Sequence, residues 1–193
     1  MSKADAVSYD SLAPNTAKGK AVFRMPFKRD TELTGHMKLK LWVSTDKGDD
    51  MDLFVGIKKF DAQGKEVLMA DFNHKENGRV AKGWLRVSHR ELDKKRSTKY
   101  QPWLKHERAL KVRPGEIVPV EIEVLASSTM FRKGETLELT VQGGDLGYEA
   151  TPQLPTEHGR ITNRHDQLVN AGRHRIHAGG KYDSHLLVPV IPG

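Results

Sequence analysis

Nine histidines invite the question of a metal, because five of them, His158, His165, His174, His177 and His185, crowd into the last fifth of the chain. The spacing argues for ordinary hydrogen-bonded histidines. His174 and His177 stand three apart in a strand-like run and so point to opposite faces, where a helical spacing of four would present both from one side. Asp49, Asp50 and Asp52 crowd the approach to a strand as oxygen ligands of calcium do. The simpler reading, a charged turn that discourages edge pairing, is the expectation here. Nucleophilic hydrolysis on an α/β scaffold needs a Gly-x-Ser-x-Gly elbow after a strand, and none is present. Ser88 and His89 are adjacent, so in a strand they face opposite ways and cannot form a nucleophile–base pair. Ser127 and Ser128 read as turn residues, and Gly143-Gly144-Asp145-Leu146-Gly147 lacks both the spacing and the following helix of a phosphate loop. With no cysteine, thiolate chemistry and disulfides are excluded. No catalytic residue, cofactor site or metal ligand is therefore assigned.

The elements that would carry such residues are strands. Val118, Val120, Ile122 and Val124 alternate with Glu121 and Glu123, which gives one apolar and one wet face. Met37, Leu39, Leu41 and Val43 repeat the pattern against Lys38 and Lys40. So do Leu53, Val55 and Ile57, then Leu137, Leu139 and Val141 against Glu138 and Thr140, and finally Leu186, Val188 and Val190. Asp61-Ala62-Gln63-Gly64, Arg113-Pro114-Gly115 and Arg132-Lys133-Gly134 supply turns in which glycine takes positive φ. Only Arg90 to Lys99 suggests a helical turn. Antiparallel strands at this spacing predict an all-β, two-sheet jelly-roll sandwich over 19–193. Residues 1–18 read as an extended arm or interdomain linker, and Gly143 to Arg173 as a long loop region.

The formal charge of +7 among 193 residues is spread over acids and bases alike, which favours a solvated surface over a nucleic-acid footprint. No run of apolar residues is long enough to span a bilayer, and the first residues lack a secretory h-region. The expectation is a cytoplasmic chain with neither nucleic-acid nor membrane partners. Of the three tryptophans, Trp42 should pack between layers. Trp84, with Arg86 and Ser88, lies on the strand face opposite Leu85 and Val87 and could meet solvent or a neighbouring domain.

Several runs carry more than periodicity. Gly83-Trp84-Leu85-Arg86-Val87-Ser88-His89-Arg90-Glu91-Leu92-Asp93, followed by Ser97 and Pro102-Trp103, resembles the C-terminal domain of the cocaine esterase / X-Pro dipeptidyl-peptidase (CocE/NonD) family of serine hydrolases. Asp50 to Val55, Pro114 to Glu123, Ser127 to Glu135, and Asn170 to His177 with Ser184, Leu186, Leu187 and Pro189 are similar to further segments of that domain. The resemblance implies a galactose-binding-domain-like jelly roll with two mainly antiparallel sheets and long loops. It also implies an α/β-hydrolase domain with a Ser-His-Asp triad and a helical cap elsewhere in the parent polypeptide, an acyl esterase or dipeptidyl-peptidase. No residue of this chain inherits a catalytic role or a cofactor. The implied partners are the catalytic domain and cap, with homo-oligomer contacts besides. The implied role is to stabilise the catalytic domain and border its active-site cleft. Residues expected at that interface are Trp84, Arg86, Ser88, His89, Arg90 and Trp103, since aromatics and arginine dominate interfaces. The alternative is a carbohydrate-binding jelly-roll module, which would need an aromatic platform ringed by polar side chains. A freestanding esterase ranks last, for want of a nucleophile elbow.

Overall fold

A computed structural model describes residues 3–14, 16–70, 76–144, 146 and 171–192. Its strands are β1 (Asp5–Asp10), β2 (Lys20–Pro26), β3 (Thr31–Thr45), β4 (Asp52–Phe60), β5 (Glu66–Val67), β6 (Met69–Ala70), β7 (Glu76–Gly78), β8 (Ala81–Arg86), β9 (Val118–Phe131), β10 (Thr136–Gln142), β11 (Arg173–Ala178) and β12 (His185–Leu187). One 3-10 turn, Val87–His89, follows β8, earlier than the helical turn expected within 90–99.

All pairings are antiparallel, and the main ones are nested. β4 pairs β8, β3 pairs β9, β2 pairs β10 and β1 pairs β11. Cross-links β10·β4 and β11·β3 gather these pairs into two sheets, β1-β11-β3-β9 and β2-β10-β4-β8. The short strands β12 and β5 extend the edges of β3 and β4. A single long hairpin folded at β4–β8 and rolled up gives this order, which is a jelly-roll sandwich. The segment expected as an arm supplies β1, paired along its length with β11.

Alternation builds the core. Met37, Leu39, Leu41 and Val43 from β3 and Val118, Val120, Ile122 and Val124 from β9 face Leu53, Val55 and Ile57 from β4 and Leu137, Leu139 and Val141 from β10. The three glycine turns form as expected, with positive φ at Gly64, Gly115 and Gly134. In the first of them the Asp61 carboxylate accepts hydrogen bonds from the backbone amides of Gln63 and Lys65. Three further expectations fail. Ser127 and Ser128, read as turn residues, continue β9 opposite Gly35 and Thr34 of β3. Glu138 and Thr140 are buried, because Leu146 packs over Gly56 on the outer face of their sheet. Glu138 is held there by Arg24, whose Nε lies 2.8 Å from the carboxylate. Val190 is exposed, because β12 ends at Leu187.

β1 is the least embedded main strand. Five of its six side chains are exposed, and only Tyr9 enters the core, where it meets His174 of β11 edge-on with ring centroids 5.5 Å apart. Both side chains are 1% exposed, and among the described residues the Tyr9 hydroxyl and both ring nitrogens of His174 find no hydrogen-bond partner. A buried polar atom left in this state costs about 1–3 kcal/mol.

At the opposite edge the sheets touch backbone to backbone. A Cβ on Gly83 of β8 would lie 2.2 Å from the Glu123 carbonyl oxygen of β9. Gly83→Ala should therefore destabilise the domain by about 3 kcal/mol or more, read as a lowered urea midpoint with unchanged m-value. A loss under about 0.5 kcal/mol would mean that the strands separate there freely.

Candidate functional site

β8 carries Trp84 and Arg86 outward because Gly83 and Leu85 point in. The neighbouring edge strand β9 offers Glu121, Glu123 and Leu125, and the connection from Arg90 to Ile117 folds back with Pro102, Trp103, Leu104 and His106. These residues and His89 line one groove of ≈ 430 Å³. Three large apolar side chains stand open in it, Trp84 at 61%, Leu125 at 49% and Trp103 at 45% exposure.

The long connection is ordered by specific bonds rather than by secondary structure. The Asp93 amide donates to the Trp103 carbonyl and the Lys105 amide to the Glu91 carbonyl, so 91–93 and 103–105 run as a small ladder. Ser97 Oγ donates to the Asp93 carbonyl at 2.8 Å and accepts the Trp103 amide at 2.9 Å, which fixes where the indole leaves the chain. The Arg96 guanidinium stacks on that indole, 3.8 Å from its centroid. Arg108 forks onto Glu91 at 2.7 and 2.9 Å, and this hydrogen bonding holds the Glu91 carboxyl below its ordinary pKa. At the turn, Arg90 Nη1 donates to the carbonyls of Val87 and Leu110.

The three crowded aspartates diverge. Asp49 pairs with Lys111 at the surface. Asp52 is buried and accepts both Nε and Nη2 of Arg86, at 2.7 and 2.9 Å, across the first register pair of β4 and β8. Asp50 is buried, and its Oδ1 accepts the amides of Met51 and Ser88, each at 2.9 Å. The charged turn expected to guard an edge is instead a clasp that ties the entry of β4 to the exit of β8. No group of three or more histidine, aspartate or glutamate side chains placed to hold a metal occurs among the described residues, and His158 and His165 lie outside them.

Of the six residues expected at an interface, Trp84, Arg86, His89 and Trp103 line the groove. Ser88 and Arg90 do not. β8 stops at Arg86, the 3-10 turn breaks the alternation, and Ser88 turns inward to 2% exposure. Arg90 is spent on carbonyls and borders a separate cleft beside Trp42, which is half-buried with its Nε1 donating to Asp183. Leu125, Leu104 and His106 were not anticipated. Leu125 had a signal, since it continues the polar phase of Glu121 and Glu123 with an apolar residue.

The model of the X-Pro dipeptidyl-peptidase C-terminal non-catalytic domain matches residues 1–187. The chain belongs to this family. Among solved structures, a CocE/NonD family hydrolase from Staphylococcus aureus superposes with a TM-score of 0.86 at 50% identity, over 98% of this chain and 33% of that one. An aminopeptidase from the marine sediment archaeon Thaumarchaeota archaeon (TM-score 0.59, 18% identity, 95% of this chain, 28% of that) shares the fold. An α-amino acid ester hydrolase (0.58, 17%, 95% and 27%) shares it too. The domain thus spans about a third of the length of the Staphylococcus aureus hydrolase. No curated protein sequence matches it.

The clasp gives a test of how the groove is positioned. Asp50→Ala strips the acceptor from two amides and should cost about 2–4 kcal/mol of unfolding free energy, with Asp50→Asn costing less. Asp49→Ala, at the surface, should stay within about 0.5 kcal/mol of wild type in the same urea titration.

Proposed function

We infer that this non-catalytic domain docks through the Trp84–Trp103–Leu125 groove onto the α/β-hydrolase domain of a larger serine acyl hydrolase. There it stabilises that domain and borders its active-site cleft. The observation that carries this reading is the groove itself. Two indoles and a leucine stand exposed in one groove, the composition of an interface centre, in a domain half identical to one third of a hydrolase. The parent reaction, cleavage of an ester, an amide or the bond after an X-Pro dipeptide through an acyl-enzyme, belongs to the catalytic domain. Arg86 and His89 contribute the polar rim, and contacts between copies of the parent are part of the same reading.

Two measurements test it. The purified chain should show no turnover of a p-nitrophenyl acyl ester above background, and turnover blocked by a serine-directed inhibitor would overturn the assignment. In the polypeptide that joins this domain to its hydrolase, Trp84→Ser with Trp103→Ser should weaken docking by about 2 kcal/mol or more. That loss would appear as a lower Tm and reduced esterase activity, while the isolated domain changes by less than about 1 kcal/mol. Oligosaccharide binding by the isolated chain, abolished by Trp84→Ser, would instead assign the groove to sugars.

A further inference from the structure

The rolled-up hairpin leaves its outermost pair, β1 with β11, held in an unusual way. Strands β3, β8, β9 and β10 bury at least alternate side chains along much of their length, whereas β1 exposes Asp5, Ala6, Val7, Ser8 and Asp10 and buries only Tyr9. Beyond its backbone ladder to β11 and one bond from the Asp10 amide to the Lys18 carbonyl, β1 is anchored in the core by that one ring. The anchor is itself incomplete. Among the described residues the buried Tyr9 hydroxyl and both His174 ring nitrogens have no hydrogen-bond partner, so separation of the strands would return three polar atoms to solvent.

We propose that β1 is a detachable strand: the Tyr9–His174 seam opens before the rest of the sandwich unfolds, and opens more readily in mild acid. The charged and titratable groups around the imidazole are Tyr9 and Asp10 on β1, Asp46 in the turn after β3, Asp52 on β4, and Arg173 beside it on β11. Burial pushes the His174 pKa from 6.5 down to about 4, and attraction from Asp52, Asp46 and Asp10 offsets this only in part. Burial also pushes the Tyr9 hydroxyl up, so it stays neutral throughout. The closed seam therefore requires a neutral ring. With the closed-state pKa depressed, closure is fully favoured above about pH 6.5 and is lost progressively as the pH falls toward 4, because only the open form takes up the proton readily. Such local opening, below the free energy of global unfolding, suits an element with few buried apolar contacts.

Hydrogen exchange of the full chain tests this, read by mass spectrometry and corrected for the intrinsic pH dependence of exchange. Amides of β1 and its β11 partners should open more often than those of β3 and β9 at both pH values compared. Their opening constant should rise about tenfold between about pH 7.5 and about pH 5.5 while that of β3 and β9 does not. His174→Phe should abolish the tenfold rise. Tyr9→Phe, which removes the orphaned hydroxyl but leaves the imidazole, should slow β1 opening and keep the rise. Exchange of β1 in step with β3 and β9, or a rise spread over all strands, would overturn the proposal. Should His174→Phe fail to fold, the wild-type and Tyr9→Phe comparisons decide it alone.

Discussion

The nesting of antiparallel pairs, β4·β8 inside β3·β9 inside β2·β10 inside β1·β11, is the constraint on which everything else rests. Outward from the central pair, successive main strands fall alternately into opposite sheets, β4, β3, β2, β1 on one arm and β8, β9, β10, β11 on the other. Each successive layer closes a longer loop. The closure entropy grows from the central β4·β8 pairing, whose innermost residues are Ile57 and Ala81, to the outermost, which joins Asp5 to Ala178. Contacts so distant in sequence make for slow folding. The side-chain content follows the same gradient, with β4 buried on both faces from Asp52 to Ile57 and β1 buried at one residue.

The inner layers were legible in the sequence because they are repetitive. A period of two over three or four apolar residues marks β3, β9, β4 and β10, and glycine marks the turns whose backbone demands positive φ. What was not legible depends on partners distant in sequence. Nothing local to Glu138 says that Leu146 will cover its face, and nothing local to Asp50 says that the Ser88 amide will come to it. Ser88 departs from the strand pattern for a related reason. Beyond Arg86 the chain coils into a 3-10 turn, where a period of two no longer applies.

The groove was half legible. Exposed tryptophan and arginine on one strand face point to an interface, and Trp84, Arg86, His89 and Trp103 do converge. Their convergence is the work of the Arg90 to Ile117 connection, which behaves as a structured platform although it contains almost no ladder. Ser97, Glu91 and Arg90 spend their polar groups on its backbone and side chains, so Trp103 is presented from a fixed position. An indole held in place before it meets a partner loses less conformational freedom on contact, which is how an exposed aromatic comes to anchor an association.

Gly83 and Trp84 are neighbours, and their adjacency ties two properties together. The absent side chain of one lets β8 ride onto the carbonyl of Glu123, and the pleat then turns the other outward into the groove. A one-residue slip would push the indole into the seam and leave the glycine facing out. The register that closes the two sheets is therefore the same register that aims the indole. An insertion or deletion within β8 would lose both at once, whereas replacing the Trp84 side chain alone would leave the seam intact.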